Sequence, residues 1–326
     1  MKDRRNREID YLRISITDRC NLRCIYCMPE KGVPCMEHQE ILTYEEIERL
    51  CKVFAKFGIK KIKITGGEPL VRKQCDVLVE KLHHIKGIET ITLTTNGVLL
   101  PNYLDQLVQA GLDAVNISLD AMNSDKFIDI TRGNHWNDIM EGIQRALEFP
   151  SLRVKINCVP IRGVNEEDLL KIAELAKENP IHVRFIEMMP IGLGREFSFL
   201  SEDEVRGMLE QKLGTLKSVS DNLGNGPAHY FMAEGYKGRI GFISARTHKF
   251  CESCNRIRLT SNGFLKTCLQ YNSGYDLKQV LRSSSTDEVI ENIIRKALSE
   301  KPDCHVFDTL PVQDTVEKRR MNDIGG

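Results

Sequence analysis

The chain has 326 residues, long enough for a full-sized core and for one barrel-sized unit with a smaller appendage rather than several equal domains. Lys plus Arg and Asp plus Glu both number 46, which excludes a global field drawing the chain to nucleic acid or an anionic membrane; any anion site must be a local cluster. The opening MKDRRNREIDYLRISI lacks an apolar leader core, no apolar run is long enough to span a bilayer, and eleven cysteines in that setting argue for metal ligation or catalysis in a cytoplasmic protein, against a disulfide framework.

Tyr11 to Thr17 alternate apolar and polar positions as a strand does, and lead into Cys20-Asn21-Leu22-Arg23-Cys24-Ile25-Tyr26-Cys27. Three cysteines at C-x3-C-x2-C spacing can turn inward on one short loop. Three thiolates leave one iron of a cubane cluster open to a small molecule, whereas a structural metal site usually closes its shell with four protein ligands. A zinc knuckle borrowing a fourth ligand, or three unrelated buried thiols, are the alternatives. Thr43-Tyr44-Glu45-Glu46 spells a capping box for a helix ending near Gly58, and Ile59 to Thr65 is the next strand, running into Gly66-Gly67-Glu68-Pro69. A helical pattern from about Val71 to Lys86 precedes a strand over Glu89 to Thr95; Pro101 opens and Gly111 closes the following helix. Ala114 to Asp120, Arg153 to Pro160 and His182 to Met189 read as further strands, separated by helices around His135 to Phe149 and, capped by Asn165, over Glu166 to Glu178.

Six strands alternating with helices imply parallel pairing and right-handed crossovers. Marked residues follow strand after strand: the cysteine loop, GGEP, TTNG, SLD and EMMP. In a barrel those ends share one mouth, while a doubly wound sheet concentrates its site at one switch point. The expected fold class is therefore α/β, a partial (βα)6 TIM-like barrel followed by a smaller C-terminal α+β module. The breaker cluster from Asp221 to Pro227 divides them, giving residues 1–220 and 221–326. In the second part, Tyr230 to Glu234 and Arg239 to Ser244 flank a turn. Cys251, Cys254 and Cys268 form another incomplete triad, which His248 or Cys304 would complete as a zinc site. Asn262-Gly263 predicts a two-residue hairpin setting Ser261 opposite Phe264 and Ile257 opposite Cys268. In that register Arg256 and Arg258 point away from Cys268 unless a bulge or an early end to pairing intervenes. Cys35, Cys51, Cys75, Cys158 and Cys304 read as ordinary small apolar residues. A helix from about Thr286 to Leu298 precedes the tail Met321-Asn322-Asp323-Ile324-Gly325-Gly326.

The cysteine loop, with an aromatic Tyr26 before its last cysteine, resembles the signature of radical S-adenosylmethionine enzymes. The two triads, with Asn255-Arg256-Ile257-Arg258 and a terminal Gly-Gly, resemble the GTP 3',8-cyclase family from about residue 10 onward. The resemblance implies two 4Fe-4S clusters, one on Cys20, Cys24 and Cys27 and the other on Cys251, Cys254 and Cys268, whose open iron binds guanine. It implies S-adenosylmethionine contacts at Tyr26, Gly67, Ser118 and Met189, and GTP contacts at Arg13, Lys63, Thr94, Lys155, Arg256, Ile257 and Arg258. Arg13, Lys155, Arg256, Arg258, Gly325 and Gly326 carry its catalytic roles, the two glycines by threading toward the active site. The family usually has arginine two residues before the threonine of TGGEP; Lys63 keeps the charge and loses the bidentate fork. The implied reaction is a 5'-deoxyadenosyl radical removing the ribose 3' hydrogen of GTP, followed by attack on guanine C8, the first step of molybdenum cofactor synthesis. Implied partners are an electron donor such as flavodoxin or ferredoxin and a cyclic pyranopterin monophosphate synthase that takes the product, with a homodimer allowed. A peptide-modifying radical enzyme with an auxiliary cluster and a non-catalytic iron-sulfur or zinc protein are the rival readings.

Overall fold

The computed structural model describes residues 1–220, 223–224, 226–283, 285–307 and 316–325. Six parallel strands, β1 (Tyr11–Ser15), β2 (Lys61–Thr65), β3 (Thr90–Thr95), β4 (Ala114–Ser118), β5 (Arg153–Cys158) and β6 (His182–Ile186), lie side by side in chain order. Beyond β6, β7 (Lys217–Val219), β8 (His229–Met232) and β9 (Arg239–Ile243) follow, then β10 (Arg256–Leu259), β11 (Phe264–Lys266) and β12 (Tyr275–Asp276). The whole forms one twelve-stranded sheet in the order β12-β11-β10-β1-β2-β3-β4-β5-β6-β9-β8-β7. It is an open, partial barrel. Its C-terminal strands extend it at both ends, since β10 pairs parallel to β1 and β9 parallel to β6.

One alternation runs through all these strands. Leu12, Ile14, Ile62, Ile64, Leu93, Ile117, Ile156, Val183, Phe185, Ile257 and Leu259 face outward into a single hydrophobic core. The outer helices cover it: α1 (Tyr44–Lys56), α2 (Cys75–His83), α3 (Leu100–Gln109), α4 (Ser124–Thr131), α5 (Trp136–Ala146) and α6 (Leu169–Glu178). On α1 the buried Ile47, Leu50 and Phe54 recur at helical spacing, and the Thr43/Glu46 capping box forms as the sequence indicates. The intervening residues, Arg13, Lys63, Thr94, Asn116, Lys155, Arg184, Arg256 and Arg258, occupy the inner face. A closed barrel fills that space with branched apolar side chains. Here it is lined with polar and charged ones.

Several local expectations are corrected. The helical pattern from Val71 to Lys86 is a 3-10 turn at Pro69–Val71 followed by α2: the Glu68 side chain caps the start of that turn by accepting the Leu70 N–H, Arg72 leaves it in extended backbone, and Gln74 at φ 62 separates it from α2. Asn165 stands at the N-cap of a 3-10 turn, Glu166–Asp168, that leads into α6, but its side chain makes no cap bond. It is buried, accepts the Ile161 N–H at 2.8 Å and donates to Asp120 O at 2.9 Å and Val159 O at 3.0 Å, tying together the loops after β4 and β5. Helices α4, α7 (Glu202–Leu213) and α8 (Leu277–Arg282) join those expected, as does α9 (Asp287–Ser299) near its predicted place. Cys51, Cys75 and Cys158 are buried, but Cys35 and Cys304 are exposed.

The hairpin between β10 and β11 is shifted by one residue from the two-residue expectation. Arg258 pairs with Lys266 and Leu259 with Leu265. Thr260 is responsible: its hydroxyl accepts the Phe264 N–H at 2.9 Å and donates to Asn262, which closes a three-residue loop with Gly263 at φ 82. Pairing stops at Lys266, before Cys268. The new register puts Arg258 and Lys266 on one face and sends Ile257 and Leu265 to the core.

Candidate active site

The ends of the barrel strands and the cysteine loop enclose a cavity of about 290 Å³. Gly67 N donates to Thr17 O and Glu68 N to Arg19 O, both at 2.7 Å, so GGEP is bonded to the segment that leads into the cysteines. A Cβ at Gly66 would lie 2.8 Å from Thr17 O and one at Gly67 2.3 Å from Arg19 O. The glycines are thus required by the close approach of the cysteine loop itself. Glu68 is buried and works as an organiser. It accepts the Leu70 N–H at 3.0 Å, the Thr95 hydroxyl at 2.7 Å and the Asn96 N–H at 2.6 Å, while burial pushes its carboxyl up to about 7. Asn96 in turn donates to Asn21 at 2.8 Å and reaches the Cys20 sulfur at 3.8 Å.

Cys20, Cys24 and Cys27 all line the cavity. Burial raises Cys20 to about 11 and Cys27 to about 12, and the neighbouring thiols add to the upward push on Cys24 and Cys27. Three desolvated thiols that repel one another as thiolates form a donor set for a cationic centre. Backbone N–H groups already point at two of them: Leu22 N lies 3.4 Å from Cys20 Sγ, and the Asn322 N–H donates to Cys27. The residues fit an iron-sulfur cluster, which Cys20, Cys24 and Cys27 would hold at the cavity wall. Tyr26 donates its phenol to Asp120 at 2.5 Å, and Tyr26, Gly67, Ser118 and Met189 share the cavity wall with the cysteines.

A group of cations occupies another part of the wall: Arg13, Lys63, Arg184, Arg256 and Arg258. Burial lowers Lys63 well below the ordinary lysine range, and the charges it feels next are Arg184, Arg13, Lys155 and Arg256. Burial likewise brings Arg258 down to about 9, with Arg13 and Arg256 adding to the shift. Cations held together against their own repulsion suit a polyanion. Thr94 is on the same wall. Arg184, which no motif marks, donates to Asn116 and Asn157, both at 2.6 Å. Its only sequence signal is its inward place in the alternating strand HVRFI, level with Asn157 on β5.

Lys155 is buried beneath the wall, near Arg184, and donates to Leu223 O. Ile257 lies in the hydrophobic core, so any nucleotide contact from it falls to its main chain. The tail enters the site: Met321 and Asn322 line the cavity, and Gly325 O accepts Arg258 Nη1 at 2.9 Å. Gly326 lies outside the described residues.

The second triad sits at the flank, where Arg256 and Leu269 reach the cavity. Burial alone would raise Cys254, but the Lys301 ammonium and the Arg256 guanidinium outweigh it and bring the thiol down to about 7. His305 N lies 3.5 Å from Cys251 Sγ. Cys251 is close enough to feel the charges of Cys268, Cys254 and Cys304. His248 is turned away, 3.6 Å from Glu202 and 3.2 Å from the Thr247 hydroxyl. Among the described residues no three His, Cys, Asp or Glu side chains converge at single-ion spacing. The fit of each triad to a cluster therefore rests on its charge coupling and its sulfur hydrogen bonds.

A cysteine triad at the mouth of an open parallel barrel, locked to a GGEP turn, defines a radical S-adenosylmethionine enzyme. The chain accordingly matches the Radical SAM superfamily over residues 14–176 and Molybdenum Cofactor Synthesis C over residues 181–307. It belongs to the GTP 3',8-cyclase family: it is 46% identical to the GTP 3',8-cyclase of Desulforamulus reducens and 44% identical to that of Clostridium perfringens strain 13, each over 100% of both chains. The crystal structure of Streptococcus suis SuiB bound to S-adenosylmethionine shares the fold, with a TM-score of 0.56 at 15% identity, over 91% of this chain and 70% of that one. Two 4Fe-4S clusters and S-adenosylmethionine are the cofactors.

Proposed function

We propose that this chain converts GTP to (8S)-3',8-cyclo-7,8-dihydroguanosine 5'-triphosphate, the first step of molybdenum cofactor synthesis, as a lyase of the radical S-adenosylmethionine class. The observation that carries this reading is one cavity shared by the first cysteine triad and a group of buried cations. When bound, the first cluster and S-adenosylmethionine would supply the 5'-deoxyadenosyl radical that removes the ribose 3' hydrogen, so that C3' can bond to guanine C8; one electron from the reductant and one proton at N7 then complete the dihydro product.

The chain's own residues bind, orient and exclude water. Cys20, Cys24 and Cys27 hold the first cluster, with Tyr26, Gly67, Ser118 and Met189 around its cofactor. Cys251, Cys254 and Cys268 would hold the second cluster, which would supply a metal site for the guanine edge. Arg13, Lys63, Thr94, Arg184, Arg256 and Arg258 hold the triphosphate, and Lys155 joins them by exchanging Leu223 O for a phosphate oxygen. Gly325 and Gly326 close the site as bare backbone. Fixed geometry in a closed space is the main protein contribution, because a primary radical must meet one C–H bond and nothing else.

We further infer a flavodoxin or ferredoxin as electron donor, a cyclic pyranopterin monophosphate synthase as acceptor of the product, a cytoplasmic location and a division into residues 1–220 and 221–326, with a homodimer allowed. Eleven cysteines that form no disulfide support a reducing compartment. No helix among the described residues is long and apolar enough to cross a membrane.

Anaerobic reconstitution, an iron and sulfide count and incubation with GTP test the reading. Cys24→Ser is expected to abolish 5'-deoxyadenosine formation, whereas Cys268→Ser is expected to keep uncoupled cleavage and lose cyclisation. Cyclised product at the normal yield from Cys268→Ser would overturn the role of the second cluster.

A further inference from the structure

Lys301 follows α9 and is 2% exposed. Its ammonium donates to Thr267 O at 2.6 Å and Arg256 O at 2.9 Å, and lies 3.6 Å from Cys254 Sγ. One acceptor is a ligand of the second cluster, one lies two residues after that ligand, and one immediately precedes Cys268. A single buried cation therefore joins the two segments that carry these cysteines. The neighbouring Arg7 is also buried, donating to Cys251 O at 3.0 Å, but its charge is met by Asp3 at 2.6 Å. The opposite charges facing Lys301 are those of Cys254 and Cys268, while Arg7 and Arg256 face it as like charges. Burial works first against the ammonium, which without counter-charge costs roughly several kcal/mol, and negative charge at the triad is what favours its charged form.

We propose that Lys301 is the counter-ion of the second cluster, neutralising thiolate charge, holding the two ligand segments together and raising the cluster's reduction potential. Net charge and hydrogen bonds to sulfur are the protein's main means of setting that potential. Lower electron density at the cluster also leaves its open iron a stronger acceptor for a guanine donor atom. The proposal rests on the assignment of Cys251, Cys254 and Cys268 as ligands, which Cys268→Ser tests separately: full iron content in that variant would remove the assignment itself.

The experiment uses full-length, anaerobically reconstituted Lys301→Met, Lys301→Gln and Lys301→Arg. Iron and sulfide are counted, and each cluster is titrated by EPR, the second identified by its response to GTP and the first by its response to S-adenosylmethionine. Lys301→Met is expected to lose the second cluster selectively or to hold it with at least tenfold weaker electron affinity, about 59 mV more negative for one electron. The first-cluster signal serves as the internal control for folding. Lys301→Arg is expected to restore iron content and potential, and Lys301→Gln, a donor without charge, to fall short of it. A second cluster assembled in Lys301→Met at unchanged potential would overturn the proposal, as would Lys301→Gln matching Lys301→Arg in both readouts.

Discussion

Lys155 shows how burial turns a common side chain into a sensitive one. Desolvation, with Arg184 and Arg153 adding to it, lowers its ammonium to about 7. The folded chain therefore releases this proton far below the ordinary lysine range, and in the ligand-free protein the group's contribution to stability rises with pH from about 7 toward that range, because the unfolded state binds the proton more tightly. Nucleotide binding has the opposite sign. A triphosphate needs the charged form, so GTP affinity for the holo-protein should weaken between pH 7 and 9, where the terminal phosphate is already doubly ionised. Lys155→Arg should remove the share of that dependence due to Lys155, since guanidinium stays charged throughout, and leave the share of Lys63, which burial also lowers. Dissociation constants measured across this range check the claim. A wild-type constant unchanged by pH would remove Lys155 from the phosphate site.

The tail is the element with most to lose from a single substitution. Glu317, 2% exposed at its side chain, pairs with fully buried Lys266 and takes a bidentate contact from Arg319 at 2.9 Å for both bonds. Arg195 Nη2 holds Glu317 O at 3.0 Å, and Val316 bridges to Tyr271. These contacts fix the start of a short helix, α10 (Met321–Ile324), whose first residues reach the cavity. Glu317→Gln leaves Lys266 buried with the Tyr271 carbonyl but no counter-charge, a loss of about 3–5 kcal/mol in which the tail undocks while the barrel stays folded. Gly325→Ala acts at the other end. At φ 77 a Cβ would lie 3.0 Å from Ser15 Cβ and 3.2 Å from Thr65 Cγ2, and the left-handed backbone adds about 1–2 kcal/mol. Both variants should lose most cyclised product and keep their iron. Hydrogen exchange over residues 316–325 should rise sharply in Glu317→Gln; unchanged protection there would show that the ion pair does not hold the tail.

At the scale of the molecule, the C-terminal residues belong to the same sheet as the barrel. They supply β10 beside β1 and β9 beside β6, and the antiparallel edge begins at Lys217. Residues 1–214 alone would expose two parallel strands as bare edges and uncover Ile257 and Leu259 contacts in the shared core. That fragment should aggregate or fail to unfold cooperatively, as judged by sedimentation and denaturant titration. A soluble fragment with a cooperative transition would show the barrel to be an autonomous unit.

The order of the barrel strands, the capping box at Thr43, the two cysteine triads and the family were all legible in the sequence, because each depends on spacing along a short stretch: period-two alternation, a three-residue capping distance, or cysteines on one loop. What depends on how separate stretches meet was not. Thr260 chose a three-residue loop over the Asn-Gly turn through its own hydroxyl, shifting every partner of β10 by one. Arg184 joined the cation group only because six strands aligned their inward positions at one level. Lys301, on a segment with no motif, reached Cys254 across 47 residues of chain. Local chemistry determines the elements and the spacing of their cysteines, but burial, register and counter-charge are set by contacts between distant segments, and those the tertiary structure alone decided.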